Sequence, residues 1–263
     1  MTQEQESLIT YPSDFPLKIM GIMQNNFAST IVELVQFYDP DFHAGKMELR
    51  PSSKGTYLSL TVTVRATSRE QLDNFTDQRN SATPDAIWMV QHPPVFTLGL
   101  AADPSHILQS HQIPIVQTDR GGEVTYHAEG QAILYLLFDL RRKDKKNLLP
   151  REFVNAIEQA VIDTLAAYNL STERHAGAPG IYVADGKYKG AKIAALGLKI
   201  RGNGYTYHGV ALNVAMDLTP FTWINPCGYE GLATVDMQTL GVHAAFAEVQ
   251  QALATSLIQH LQG

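Results

Sequence analysis

The chain has 263 residues, of which 44% are hydrophobic, an ordinary share for a globular protein with a substantial core. Its formal net charge is −6 and its pI is about 5.8, which argues against a nucleic-acid partner. No apolar run approaches the roughly 20 residues that span a bilayer, and the first ten residues are too polar for a signal peptide. With a single cysteine, the composition predicts a cytoplasmic protein without a membrane partner.

The pattern of apolar residues over positions 1–76 predicts a small unit of strands and helices. Strands are expected at residues 15–22, 47–50 and 57–66, from alternating apolar positions. Helices are expected at residues 28–38 and from Ser68 onward. The order strand, helix, strand, strand, helix is most of a split βαβ unit.

Two stretches of this unit resemble the small YbeD-type family that is associated with lipoic acid metabolism. They are Tyr-Pro-Ser-Asp-Phe-Pro-Leu-Lys-Ile-Met-Gly at residues 11–21 and Arg-Pro-Ser-Ser-Lys-Gly at residues 50–55. The resemblance covers about residues 6–75. It implies a ferredoxin-like fold and a regulatory or interaction role.

From residue 77 onward, apolar strands alternate with glycine-rich turns and long helices. Strands are expected at residues 87–90 and 132–139, and amphipathic helices at residues 151–168 and 244–261. We therefore expect a second domain of mixed α+β structure over residues 77–263. The basic run at residues 141–146 predicts a solvated loop or, as the alternative, a docking patch for an acidic partner.

The densest polar stretch is Arg-Gly-Gly-Glu-Val-Thr-Tyr-His-Ala-Glu-Gly-Gln at residues 120–131. Paired glycines let backbone N–H groups approach a ligand closely. Each residue alone fits a tight hairpin, whereas the whole stretch beside an apolar strand favours a ligand-binding loop. It is not a P-loop, because no Gly-Lys-Ser/Thr follows.

Lys192 and His208 each stand in an apolar stretch. Lys192 fits either an exposed strand edge or a desolvated proton shuttle with a depressed pKa. His208 fits a structural histidine better than a ligand. No metal site is expected, because no His-x-x-x-His pair and no second thiol are present.

Cys227, in Asn-Pro-Cys-Gly-Tyr, has no partner for a disulfide within the chain. It is a packed small hydrophobe, an isolated metal ligand or a nucleophile. Composition alone favours an inert thiol. A proline before it and a glycine after it predict a turn that presents the side chain.

Five motifs in order resemble those of the bacterial octanoyltransferases, from about residue 77 to the C-terminus. They are Arg-Gly-Gly-Glu-Val-Thr-Tyr-His (120–127), Gly-Ala-Pro-Gly-Ile-Tyr (177–182), Lys-Ile-Ala-Ala-Leu-Gly (192–197), His-Gly-Val-Ala-Leu-Asn (208–213) and Asn-Pro-Cys-Gly (225–228). The resemblance implies a biotin/lipoate protein ligase-like catalytic domain that needs no cofactor. It implies transfer of an octanoyl group from octanoyl-acyl carrier protein to a lysine on lipoyl domains of 2-oxoacid dehydrogenases and on the glycine cleavage H protein.

By motif position, the resemblance makes Cys227 the acyl-thioester nucleophile and Lys192 the catalytic lysine. The implied substrate-binding residues are Arg120, Gly121, Gly122, Glu123, Val124, Thr125, Tyr126, His127, Ala195, Leu196, Gly197, His208, Gly209 and Val210. The chain departs from the family at Ala128-Glu129, where Gly-Pro is usual, and at Ala195, where serine is frequent. The family's first strand and the start of its first helix are missing, and the strand at residues 57–66 and the helix from Ser68 occupy their place. Either the two domains share these elements, or the catalytic domain is incomplete at its edge.

The chemistry suits these residues, because a thiolate attacks a thioester well and leaves well when an amine follows. Lys192 would accept the thiol proton and later assist the amine. The apolar neighbours expected to form the acyl pocket are Ala194, Leu196, Val210 and Leu212. Two alternatives stay open: an ATP-dependent lipoate ligase, which would tolerate Cys227→Ser, and a degenerate transferase that serves as a binding or regulatory module.

Overall fold

The computed structural model describes residues 76–80, 85–141 and 148–262. It also describes the backbone of four short strands closer to the N-terminus: β1 (Val32–Leu34), β2 (Glu48–Ser52), β3 (Gly55–Ser59) and β4 (Val62–Thr63). Within these residues, no helix combines the length and the hydropathy required to cross a membrane.

A large twisted sheet forms the body of the described structure. Its strands lie in the order β1-β5-β9-β13-β12-β11-β10, and β4 also pairs with β5. From β5 to β10 all neighbours are antiparallel, whereas β1 and β4 run parallel to β5. The strands are β5 (Asp85–Gln91), β9 (Gln131–Leu137), β10 (Thr172–His175), β11 (Ala178–Val183), β12 (Lys192–Ile200) and β13 (Thr206–Asn213).

Two helices, α1 (Pro150–Ala166) and α2 (Phe246–Gln262), cover one face of this sheet. The sequence predicts both within a few residues of their observed ends. Proline suits the first helical position of α1, and the Glu152 carboxylate accepts the Leu149 N–H at 3.0 Å. The apolar side of α1 is fully buried at Phe153 and Ile157, so the helix is held mainly by packing.

Side-chain alternation gives the sheet two different faces. In β9 and β13, Leu134 and Leu212 belong to the core under the helices. Their neighbours Ile133 and Ala211 are register partners and line a cavity on the opposite face. Because successive side chains of a strand point to opposite sides, one set of strands builds both the core and the cavity.

A small sheet, ordered β7-β6-β8, lies over the second face. Its strands are β6 (Val95–Leu98), β7 (Ile115–Gln117) and β8 (Thr125–His127). Phe96 and Tyr126 form a second apolar cluster here together with Phe221 and Ile224. This cluster anchors both the loop before β8 and the chain leading to Cys227.

The predictions for the N-terminal unit have mixed outcomes. The helix expected at residues 28–38 is wrong at Val32–Leu34, which is strand β1. The apolar residues of Val-Glu-Leu fit the alternating pattern of a strand as well as the spacing of a helix. The open edge of strand β5 then favours pairing as a strand. The strand expected at 47–50 is confirmed as β2, which forms a hairpin with β3.

The strand expected at 57–66 is observed as parts of β3 and β4. Residues 76–78 are helical, at the end of the helix expected from Ser68. The strand at 15–22 and residues 142–147 of the basic loop lie outside the described residues.

Candidate active site

Cys227 lies in a short 3-10 turn, Pro226–Gly228, and its backbone is left-handed, with φ 58° and ψ 22°. Gly228 follows with φ 75°. The Cys227 N–H donates to Val124 O at 3.3 Å, which ties the turn to the loop before β8. A non-glycine residue in this region costs about 1–3 kcal/mol, so the surrounding structure must hold the thiol in place.

Lys192, the first residue of β12, meets this thiol. Its ammonium donates to Cys227 Sγ at 3.0 Å and to Pro179 O at 2.9 Å, and it lies 5.1 Å from the centre of the Tyr182 ring. The residue is only 4% exposed. The interpretation of Lys192 as an exposed strand edge is therefore wrong.

The charge state of Lys192 also differs from the expectation. Burial lowers the pKa of Lys192, but the Cys227 thiolate and Tyr182 outweigh burial, so the pKa of Lys192 is raised. The predicted depressed pKa is wrong, because a lysine buried against an anion keeps its proton. The arrangement is that of a buried ammonium in direct contact with Cys227 Sγ.

A cavity of about 100 Å³, open to solvent on one side, lies beside Cys227. Its floor is the second face of the large sheet, where small and apolar residues line it: Ile133, Tyr135, Ala195, Gly197, Gly209 and Ala211. Leu196 and Val210 border the cavity while packing with the core. Ala194 and Leu212, also predicted to form the acyl pocket, are core residues that do not line the cavity.

Most of the predicted substrate-binding residues surround this cavity, and two do not. Gly121 donates its N–H to Leu198 O at 2.9 Å and thereby pins the loop to β12. Tyr126 points into the second cluster, 5.5 Å from the Phe96 ring, and burial raises its pKa to about 12. The predicted residues that line the cavity are Arg120, Gly122, Glu123, Val124, Thr125, His127, Ala195, Leu196, Gly197, His208, Gly209, Val210 and Cys227.

Arg120 borders the cavity but directs its hydrogen bonds into the protein. Its guanidinium donates to Thr97 Oγ1 and O and to the carbonyls of Gly121 and Glu123, at 2.7–3.1 Å. Burial lowers its pKa to about 10, so it stays charged at neutral pH. The observed contacts make Arg120 the organiser of the loop rather than an open donor.

His127 is held by a buried hydrogen-bond chain. Its Nδ1 lies 2.7 Å from Gln131 Oε1, and the Gln131 amide donates to Asn213 Oδ1 at 2.9 Å. Burial, with a smaller effect from His92, lowers the pKa of His127 to about 3. His127 is therefore neutral, with Nδ1 protonated toward Gln131 and Nε2 as an acceptor.

His208 is a second unusual position, because it is left-handed (φ 57°) within β13. Its Nε2 lies 2.9 Å from Asp119 Oδ1, and the Tyr207 hydroxyl donates to the same carboxylate. Sequence reasoning missed Asp119 and the cavity residues His92 and Tyr135. The sequence did contain a signal for Tyr135. It lies between two core leucines of an apolar strand, so side-chain alternation places its ring on the opposite face of the sheet.

The departure at Ala128-Glu129 leaves the hairpin into β9 intact. Ala128 is buried in the second cluster, and Gly130 makes the tight turn with φ 83°. The Gly130 carbonyl accepts the N–H groups of Val214 and Ala215 at 3.0–3.1 Å. The turn therefore does not depend on the Gly-Pro pair that is usual in the family.

Residues 69–258 match the family described as the lipoyl protein ligase A/B catalytic domain. The chain belongs to this family. Residues 6–81 match a second family, described as a protein of unknown function (DUF493), and the two matches overlap at residues 69–81.

Curated relatives in this family are much closer than the solved structures. An octanoyltransferase of Janthinobacterium sp. (strain Marseille) is 72% identical over 184 residues, which cover 70% of this chain and 85% of that protein. An octanoyltransferase of Herminiimonas arsenicoxydans is 68% identical over 190 residues, covering 72% of this chain and 88% of the relative.

Solved structures establish the fold of the catalytic domain. A bipartite lipoate protein ligase from Thermoplasma acidophilum superposes with a TM-score of 0.60 at 14% identity, covering 76% of this chain and 82% of that one. A lipoate-protein ligase A bound with ATP gives a TM-score of 0.59 at 14% identity, covering 76% and 84%. The expected biotin/lipoate ligase-like catalytic fold is confirmed.

Proposed function

We propose that Cys227 and Lys192 form the catalytic dyad of an octanoyltransferase, in which Cys227 carries the octanoyl group as a thioester. The observation that carries the proposal is the 3.0 Å contact between Lys192 Nζ and Cys227 Sγ. Cys227 lines a cavity with an apolar floor, and Lys192 contacts Cys227 from behind the cavity wall without lining the cavity. That octanoyl transfer in protein lipoylation is the activity of this chain follows from its family and from octanoyltransferases that are 72% and 68% identical to it.

In the first half-reaction, the Cys227 thiolate attacks the thioester carbonyl of octanoyl-acyl carrier protein. A new carbon–sulfur bond forms to Cys227, and the bond to the carrier sulfur breaks. The departing carrier thiolate takes a proton from the Lys192 ammonium. Because Lys192 already holds the proton, it acts first as an acid rather than as the base expected from the sequence.

In the second half-reaction, the amine of an acceptor lysine attacks the octanoyl-Cys227 thioester. Neutral Lys192 takes a proton from this amine, the amide bond forms, and Cys227 leaves as a thiolate. The dyad then returns to its starting charges. We propose lipoyl domains of 2-oxoacid dehydrogenases and the glycine cleavage H protein as acceptors.

The acyl chain is proposed to lie along the cavity floor. Gly197 and Gly209 are register partners, as are Ala195 and Ala211, so small residues form a continuous strip on two adjacent strands. The proposed chain lies against Ala195 and Ala211, because a Cβ at Gly197 would already lie 3.0 Å from Arg120 Cδ and one at Gly209 would lie 1.9 Å from Leu134 O. Burying the methylenes of the chain is favourable by roughly 0.8 kcal/mol each. This assignment replaces the predicted pocket of Ala194 and Leu212, whose side chains face the helices.

The dyad is tested by mixing the protein with octanoyl-acyl carrier protein in the absence of ATP and then measuring the intact mass of the protein. We expect one octanoyl adduct on the protein and none on Cys227→Ala. The adduct should disappear when an acceptor lipoyl domain is added. Two outcomes would contradict the proposal and favour a ligase. One is that the parent protein forms no adduct, and the other is that the Cys227→Ser variant, supplied with ATP, transfers as well as the parent protein.

The N-terminal segment, residues 1–76, is proposed to be a ferredoxin-like module that shares its last elements with the catalytic domain, residues 77–263. Two observations support sharing. Strand β4 pairs with β5 of the large sheet, and the family matches overlap at residues 69–81.

Two truncations test this shared boundary. A chain starting at residue 60 keeps β4 and the following helix, whereas a chain starting at residue 77 loses both. We expect the first to retain octanoyl transfer and the second to unfold at a clearly lower temperature. Equal unfolding temperatures for the two truncated proteins would contradict sharing.

A further inference from the structure

A single peptide unit connects the proposed dyad to helix α1. The carbonyl of Pro179 accepts a hydrogen bond from the Lys192 ammonium at 2.9 Å. On the other side of the same peptide, the N–H of Gly180 donates to Glu158 Oε1 at 3.2 Å. Arg174 donates to the second oxygen, Glu158 Oε2, at 3.0 Å.

Glu158 is unusual for its position, because its carboxylate is buried on the helix side that packs against the sheet. It is 6% exposed and follows Ile157, which is fully buried. A buried carboxylate is costly unless its oxygens are paired. Arg174 and Gly180 supply these partners, and Arg174 is held on α1 by the carbonyl of Asn155 at 3.0 Å.

The hydrogen bonds on the two ends of the peptide reinforce each other. An anion on the N–H end draws electron density toward the carbonyl oxygen, which strengthens the bond that this oxygen accepts.

Gly180 explains why the peptide needs an anchor. Its φ of 131° is strained for residues with a side chain, and a Cβ there would lie 2.5 Å from Lys192 Cε and 2.8 Å from Ala194 O. Glycine fits this space, but its backbone is also the most freely rotating. The bond to Glu158 fixes the peptide orientation that glycine alone would leave open.

We propose that Glu158, held by Arg174, is a positioning residue that fixes the Pro179–Gly180 peptide and, through it, the Lys192 ammonium against Cys227. The inference rests on the proposed dyad. Without the carboxylate, the peptide is free to turn its carbonyl away, and Lys192 loses one of its two acceptors. Less of Cys227 is then held as the reactive thiolate.

The single cysteine makes this measurable, because every thiol label reports on Cys227. The rate of alkylation by iodoacetamide is followed by intact mass across pH, alongside kcat and KM for octanoyl transfer. The variants are Glu158→Gln, which keeps the shape but loses the charge, and Arg174→Met. Glu152→Gln is the matched control, since Glu152 lies on the same helix and accepts the Leu149 N–H at the helix start.

We expect both test variants to alkylate about tenfold more slowly at neutral pH, with the pH profile moved upward, and kcat to fall about as much while KM is unchanged. The control should behave as the parent protein. Unchanged alkylation in Glu158→Gln, even with reduced transfer, would overturn the proposal.

A folding failure does not remove the test. The Arg174 side chain is 36% exposed, so its replacement leaves the core packing in place. If Glu158→Gln does not fold, an unchanged profile in Arg174→Met overturns the inference. Absence of an octanoyl adduct on the parent protein would instead refute the dyad itself, so the two failures are distinct.

Discussion

The two faces of strands β9, β12 and β13 serve opposite purposes although they share one backbone. The helix side carries large residues such as Leu134 and Leu212, all packed in the main core. The cavity side carries small residues, among them Ala211 and Gly209. The helix side of the sheet therefore contributes most of the stability, whereas the cavity side forms the floor of the proposed site.

This separation predicts that substitutions on the two faces differ in kind. A change on the helix face removes buried contacts and lowers the free energy of unfolding. A change on the cavity face alters what the site binds and leaves most of the packing in place. Measuring both unfolding and octanoyl transfer for each variant tests whether the two faces are independent.

The largest expected effect is loss of transfer on changing the dyad. Lys192→Met should lower kcat by about 10²–10⁴-fold, because the acid and base of both half-reactions is removed. The unfolding temperature should change little, since methionine fills similar space. Transfer kinetics and thermal unfolding of the variant check this. A variant that is both inactive and strongly destabilised would contradict the separation of activity from stability.

A core substitution should give the reverse pattern. Leu212→Ala removes a fully buried side chain and should lower the free energy of unfolding by about 2–5 kcal/mol. Transfer per folded molecule should stay close to that of the parent protein. Urea unfolding combined with active-site titration measures both, and a large loss of kcat in the folded fraction would show that the faces are coupled.

A matched pair on neighbouring positions sharpens the comparison further. Ala211→Leu fills the cavity floor and should lower the octanoyl transfer rate about tenfold while favouring shorter acyl chains. Ala194→Leu overfills the core and should cost about 1–3 kcal/mol of stability without changing chain preference. Competition between acyl-acyl carrier protein substrates with acyl chains of different length measures this preference. An identical preference in both variants would contradict the assignment of Ala211 to the cavity floor.

The smallest effect expected near neutral pH concerns acid stability. The pKa of His127 is lowered from 6.5 to about 3 by burial, so the unfolded chain binds one more proton between these pH values. Stability is complete above about pH 6.5 and should fall as pH drops, by at most about 1.4 kcal/mol per pH unit from this residue.

His127→Asn can keep a donor toward Gln131 without titrating. Its free energy of unfolding should therefore depend less steeply on pH between 6.5 and 4 than that of the parent protein. Chemical unfolding at several pH values checks the slope. Parallel curves for the two proteins would mean that His127 does not control acid stability.

The sequence predicted helices α1 and α2 and the apolar strand β9 well, because their periodicity is long and local. It also brought Cys227 and Lys192 together through ordered motifs. It predicted only part of the proposed acyl pocket, since Ala194 and Leu212 look as suitable as Leu196 and Val210 until the sheet face is known. Similarly, the raised pKa of Lys192 depends on Cys227, which lies 35 positions away in the chain.

Other failures arose from partners that local patterns do not contain. The strand at Val32–Leu34 depends on the open edge of β5, which lies far along the chain. The hydrogen bonds of Arg120 to Thr97 and to the loop carbonyls likewise become visible only when β6 and β8 are paired, while its substrate contact stays a prediction. In both cases, long-range pairing overrides the local preference.

The left-handed backbone at Cys227 has an evolutionary consequence. A residue without a side chain would occupy this turn with less strain, so selection for stability alone favours replacing the thiol. A copy of the gene freed from its enzymatic role would be expected to lose this cysteine early.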